Sequence, residues 1–190
     1  MCLRILLAFL VSWRIAIATE PQKNIVQGSG MTAIANSKHE LLSPNNAAQT
    51  MQVPEGFQVT LFAGEPDVTQ PIGLCIDDRG RIWVAENQSY PKHTSKPAND
   101  RIIILEDTNG DGQHDKRTVF FDKLNYVSGV EVGFGGVWVM SPPYFYFIPD
   151  RDGNDVPDAE PRVILDGFGN FANAHNMANG LAWGPDGWLY

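Results

Sequence analysis

A Gly-to-Trp unit recurs three times along this chain and narrows its fold more than any other property. The copies run from Pro71-Ile72-Gly73 to Trp83-Val84, from Ser128-Gly129-Val130 to Trp138-Val139 and from Asn179-Gly180-Leu181 to Trp188-Leu189. In each, a Gly leads into alternating apolar residues, a tight Asp/Gly or Gly-Gly turn and a second short strand carrying Trp. The glycines stand 56 and 51 positions apart, the tryptophans 55 and 50. All-β units recurring at roughly 40–50 residues are the mark of propeller blades. The expected fold is therefore all-β, a partial β-propeller of four-stranded antiparallel blades. The third copy reaches only its second strand at Tyr190. The expectation is a fragment with between two and three blades, where about 4–8 close a ring. The remaining blades are then its first partner.

Aromatic residues at 11%, with 18 Gly and 13 Pro, suit a turn-rich β protein. A net charge of −8 supplies no basic stripe for a phosphate backbone, so nucleic acid is not expected as a partner. The N-terminus reads as an export signal. Arg4 precedes an apolar run over 5–13, and Ala16-Ile17-Ala18 gives a small-x-small cleavage pattern after Ala18. Arg14 interrupts that run well short of the ~20 apolar residues that span a bilayer. The expected setting is periplasmic or cell-surface. Cys2 leaves with the leader, so Cys75 has no intrachain partner and reads as a buried small hydrophobe.

After a leader over 1–18, residues 19–41 are polar and aperiodic and read as a flexible linker. Ser43 caps an expected short helix within 42–52, with Pro44 at its first position. Propeller sequence fills 53–190. Strands are expected over 57–62, 72–76, 81–85, 101–106, 117–121, 129–134, 137–140, 144–148 and 162–165, with two more over 180–183 and 188–190. The first would be an outermost strand completing a last blade.

Two acidic turns fall at one point of successive blades. Asp107, Asn109, Asp111 and Asp115 occupy positions 1, 3, 5 and 9 of a nine-residue loop with Gly112 at position 6. Asp150, Asp152, Asn154 and Asp158 repeat the oxygens at 1, 3, 5 and 9, with Gly153 at position 4. Ca²⁺ takes six to eight hard oxygens at about 2.4 Å, and the doubling favours structural Ca²⁺ at both. Position 12 is Thr118 rather than Glu and the flanks are strands, which excludes an EF-hand. The alternative is a pair of Asx-rich turns, since Asp, Asn and Gly tolerate left-handed dihedrals.

Loops on the other face gather polar residues suited to a cofactor or a polyhydroxylated substrate: Glu86, Asn87, Tyr90, Asn125, Tyr126 and, in the run 170–179, His175, Asn176 and Asn179. A neutral His175 imidazole has the chemistry to take a hydroxyl proton. A loop histidine satisfied by carbonyls is the competing account. His39 lies in the linker and His114 in an acidic turn, and His93 reads as solvated. The tryptophans read as packing between blades.

Several ordered motifs, Leu42-Ser43-Pro44, Val53-Pro54-Glu55-Gly56-Phe57, Leu61-Phe62-Ala63-Gly64-Glu65-Pro66, Gly80-Arg81-Ile82-Trp83-Val84-Ala85-Glu86 and Trp183-Gly184-Pro185-Asp186-Gly187-Trp188-Leu189-Tyr190, resemble the N-terminal region of planctomycete-type membrane-bound dehydrogenases. Those proteins are similar to soluble quinoprotein glucose/sorbosone dehydrogenases. The resemblance implies sugar or alcohol oxidation with pyrroloquinoline quinone (PQQ), with His175 as general base. It also implies electron transfer to haem c in a cytochrome c domain beyond this chain. The rival expectations are a non-catalytic propeller that binds carbohydrate or a protein, and an inactive gene fragment.

Overall fold

The structure, a computed structural model, describes residues 42–91, 99–169, 175 and 177–190. The expected leader and linker, His39, His93 and Asn176 lie outside the described residues. Helix α1, Pro44–Thr50, begins as its sequence dictates. Ser43 is extended (φ −61°, ψ 154°), its side chain accepts from Asn46 N, and Pro44 opens the helix.

Eight strands follow: β1 Pro71–Ile76, β2 Ile82–Glu86, β3 Asp100–Glu106, β4 Lys116–Leu124, β5 Gly129–Val132, β6 Gly136–Ser141, β7 Tyr144–Pro149 and β8 Arg162–Leu165. They form two antiparallel four-stranded sheets, β1-β2-β3-β4 and β5-β6-β7-β8, each in sequence order. Short apolar runs bounded by turn residues make this pattern. The turn Asp77-Asp78-Arg79-Gly80 shows how it works. Gly80 N donates to Asp77 O, Arg79 N and Arg81 N donate to the Asp77 carboxylate, and Gly80 takes φ +78°.

Residues 57–62 form no strand, contrary to their alternation. Phe62, Ala63 and Val68 lie instead across the outward face of the first sheet, packed with Ile82, Val84, Ile103 and Leu105. Burying Phe62 against that face outweighs pairing along an edge. This cover is why every residue of β2 is buried although its side chains point both ways.

The third copy shows the bridge Trp183↔Leu189, with paired amide bonds between Ala182 and Tyr190. Its register corrects the alignment of the repeats. Cys75 faces Trp83 and Glu131 faces Trp138, while Ala182 faces Tyr190. Tyr190, not Trp188, is thus the counterpart of the first two tryptophans. In each copy the turn satisfies the aromatic's polar atom. Trp83 Nε1 donates to Asp77 at 2.9 Å, Trp138 Nε1 to Gly133 O at 3.1 Å and Tyr190 Oη to Asp186 at 2.7 Å.

The sheets pack face to face. Cys75, Trp83, Ala85, Ile102, Ile104 and Phe120 meet Val130, Val137, Val139 and Ile148, each large side chain contributing about 1.5–3 kcal/mol by burial. Burial, then Glu131, pushes the Cys75 thiol far above its ordinary pKa, so it stays protonated and inert. The three repeat glycines line up where the units meet. A Cβ on Gly73 would stand 3.6 Å from Gly129 Cα, and one on Gly129 would stand 3.2 Å from Gly180 N.

Candidate functional site

Because each sheet is a meander, its connections alternate between two ends. The described residues of 87–91, 99, 125–128, 166–169, 175 and 177–180 share one end; segments 77–81, 107–115, 133–135 and 150–161 share the other.

At the first end three connections converge. Tyr90 Oη lies 2.9 Å from His175 Nδ1 with the rings edge-to-face, and the Tyr90 and Tyr126 rings are 6.5 Å apart. Tyr90 and His175 are exposed, while Tyr126 is buried at φ +66°. A left-handed tyrosine costs about 1–2 kcal/mol and marks a place the surroundings over-determine. Burial, then Tyr90 and Asp100, raises the Tyr126 phenol above its ordinary pKa.

Asp100 organises this end. Fully buried, it accepts from Ser89 N at 2.7 Å, Ser89 Oγ at 2.8 Å and Val127 N at 3.0 Å, tying the loop before β3 to the one before β5. Asn87 Oδ1 accepts from Tyr90 N and Ser89 Oγ and so shapes the backbone that presents Tyr90. Ser128 Oγ donates to Ala178 O at 2.6 Å, anchoring the segment after His175. Asn125 contributes its carbonyl to Ser141 Oγ, and Asn179 is exposed.

Glu86 sits apart from this group. It is completely buried, and its carboxylate takes Thr69 N at 2.7 Å, Arg101 Nε, and Arg117 Nη2 at 3.4 Å. It knits β2, β3, β4 and the N-terminal segment together. Hollows of about 470 Å³ beside Phe121 and Glu160 and about 340 Å³ between Asp77 and Trp183 also lie elsewhere. Of the expected ligand-binding residues, then, Tyr90, Tyr126 and His175 come together, Asn87 supports them and Glu86 does not join them. The Asp100 anchor escaped sequence reading, although a lone Asp entering an apolar strand after a long loop was its signal.

The cluster does not itself fit PQQ. That cofactor carries three carboxylates and needs cations, and Arg101 and Arg117 are already held by Glu86. The described residues at Tyr90 offer hydroxyl, imidazole and amide groups, which suit a hydroxylated ligand.

At the opposite end the two acidic turns share one hydrogen-bond scheme. Asp107 accepts from Asp111 N and Gly112 N as Asp150 does from Asn154 N and Asp155 N. Asn109 and Asp152 accept from the amide two residues on, as do Asp111 and Asn154. Asp115 and Asp158 close the loops onto Thr108 N and Arg151 N. The Gly112 N bond, with those of Gly110 and Asp111, holds Asp107 below its ordinary pKa. Burial, then the neighbouring Asp155 and Asp152 carboxylates, raises Asp150. Among the described residues no three His, Cys, Asp or Glu side chains converge as a metal cluster.

The second turn also latches the sheets. Arg81, nearly buried, donates to Asp77 at 2.8 Å and to Asp155 at 2.7 Å, and Arg79 donates to Gly153 O at 2.9 Å. Asp155 takes φ +68° where its counterpart is Gly112. The strain of a left-handed Asp is offset by its ion pair with the adjoining sheet.

A family described as "Domain of unknown function (DUF7133)" matches residues 43–190. Neither the curated proteins nor the solved structures contain a match to the chain. No helix among the described residues is long and apolar enough to cross a membrane.

Proposed function

The chain belongs to the DUF7133 family, and from its geometry we propose that the Tyr90–Tyr126–His175 cluster binds a sugar or polyol hydroxyl in a dehydrogenase-type site. The two sheets and the third hairpin would be successive blades of a β-propeller. The observation that carries this reading is the Tyr90 Oη–His175 Nδ1 contact. With the proton on Nδ1, the ring donates to Tyr90 and Nε2 holds the lone pair that accepts a hydroxyl proton. Tyr90 thereby acts as a positioning residue. The oxidant, PQQ under the family resemblance, would need cationic anchors from beyond the described residues. Haem c would come from a further domain, and export would follow from the leader-like first 18 residues. Structural Ca²⁺ at the acidic turns belongs to the same reading, since a cation would relieve the repulsion felt by Asp150.

The rival is a carbohydrate-binding module without chemistry, favoured by the exposed Tyr90 ring, 41% accessible beside His175. Titration of the chain with sugars and polyols, followed by NMR of the Tyr90 and His175 ring signals, tests binding. The expected result is saturable shifts, weakened about tenfold or more by His175→Ala, the scale of one lost hydrogen bond to a ligand. No shift with any hydroxylated ligand overturns the proposal. Tight binding of a hydroxylated ligand that is not oxidised when PQQ and an electron acceptor are supplied favours the module.

A further inference from the structure

Resting on the reading that Tyr90, Tyr126 and His175 bind a sugar hydroxyl, we propose that the ligand is a neutral oligosaccharide, with a second sugar stacked on Tyr144. The turn at Pro142-Pro143 between β6 and β7 opens at the same end of the sheets as that cluster. Tyr144 is the first residue of β7 and pairs with Ser141, the last of β6. Ser141 Oγ donates at 2.6 Å to the carbonyl of Asn125, the neighbour of Tyr126. Tyr144 therefore stands one strand spacing, about 4.8 Å, beyond the point where the 125–128 connection is fastened to β6. Tyr90, Tyr126, the Asn125–Ser141 bond and Tyr144 follow one another across this end.

Strand parity fixes which way Tyr144 turns. Val139 pairs with Tyr146 and Val137 with Ile148, and these residues pack toward the first sheet. Ser141 and Tyr144 share their parity. Trp138, Phe145 and Phe147 point the other way, toward Trp183. Tyr144 thus lies between the two four-stranded sheets, on the side turned from the 180–190 hairpin.

Both outer rings of this row are held yet open. Tyr144 is 40% exposed, with its ring 5.6 Å from that of half-buried Tyr146. Tyr90, 41% exposed, meets His175 and rests its backbone on Asn87. A ring fixed by its neighbours before a ligand arrives loses little freedom on binding. Tyrosine offers a sugar both a flat apolar face and a hydroxyl. Two such rings set apart along one end suit a chain of hydroxylated rings better than a single one.

Charge selects among glycans. The connections 87–91, 125–128 and 141–144 contain no charged residue. The Asp100 carboxylate beneath them is fully buried and taken by Ser89 and Val127. These connections hold no cation to balance a uronate or a sulfate, and the net charge of −8 repels one.

Titration of the 190-residue chain with glucose, xylose and mannose, and with the oligosaccharides of each, tests this by NMR of the tyrosine and histidine ring signals. The expected result is that an oligosaccharide binds about tenfold tighter than its monosaccharide, the scale of one added stacking contact. The Tyr144 ring signal shifts with the oligosaccharide only, while those of Tyr90 and His175 shift with both. Tyr144→Ala removes the gain from length and leaves the monosaccharide affinity unchanged; Tyr144→Phe keeps most of the gain. Should Tyr144→Ala lose monosaccharide binding as well, the wild-type Tyr144 signal decides. Equal affinity for both lengths, a Tyr144 signal that no oligosaccharide moves, or equally tight binding of an oligogalacturonate overturns the proposal and leaves the sugar-hydroxyl reading standing. Failure of every sugar to move the Tyr90 and His175 signals overturns both.

Discussion

Single positions decide whether the sheets can form at all. Gly136, at the start of β6, would place a Cβ 2.4 Å from Ile148 O and 2.6 Å from Phe147 Cζ. Neither the carbonyl of a paired strand nor a ring held against Trp138 can retreat cheaply. Gly136→Ala is expected to destabilise by at least about 2 kcal/mol, the scale of overpacking a dense core. Urea unfolding measures it, and an unchanged midpoint would show that β6 shifts freely. Tyr126 is the opposite case, a large residue kept in a conformation that suits glycine. Its ring fills the space beside Tyr90 and Asp100, so this strain falls at the candidate site.

Among the elements, the acidic turns show most clearly what a sequence discloses. Matching offsets in 107–115 and 150–158 revealed two equivalent turns, and the shared amide scheme follows from them. The direction of the Asp155 side chain was hidden, because its partner Arg81 lies 74 positions away in the chain. The eight strands of the two sheets were legible to within three residues, since alternation and turn chemistry are local, whereas 180–183 and 188–190 pair only through the Trp183–Leu189 bridge. Residues 57–62 read as a strand and are not one, because tertiary cover competes with edge pairing and leaves no trace in alternation. In the third unit, Trp188 drew the eye by composition, while backbone register gave its role to Tyr190. His175 and Tyr90 were each visible as polar loop residues; that they touch was not. For the turns themselves, calcium is the lever. At a hundredfold excess over a Kd of ~0.1 mM, Ca²⁺ would add about 2.7 kcal/mol and raise Tm by several degrees. Thermal melts with calcium and then with chelator check this, and identical curves would mean that the amide bonds alone hold both turns.

At the scale of the whole molecule, the two sheets are joined by a charged latch at one end and the tyrosine–histidine cluster at the other. Burial would raise the Asp77 carboxyl, but the Trp83 indole N–H and the Arg81 amide and guanidinium overcome it and hold the pKa below its ordinary value. A carboxyl depressed by folding contributes stability above its unfolded pKa, near 3.9, and loses it as pH falls through the folded value. The expected consequence is a stability that drops on acidification below about pH 4. In Asp77→Asn that drop is smaller, as read from urea midpoints at neutral and acidic pH. Arg81→Ala leaves Asp77 and Asp155 facing each other without their cation, and is expected to cost about 3 kcal/mol. Equal acid sensitivity of wild type and Asp77→Asn would assign the pH dependence to other carboxylates.

The line of Gly73, Gly129 and Gly180 carries a geometric consequence. These residues sit at the vertex of a fan whose ribs are the sheets. Outer strands lie about 14 Å from the inner ones, three strand spacings away. Any thickening at the vertex would be magnified along that lever and swing β4 and β8 apart. Length changes in the outer loops fall at the rim, where they shift little else. Variation across such a family should therefore concentrate at the rim, while the vertex stays bare of side chains.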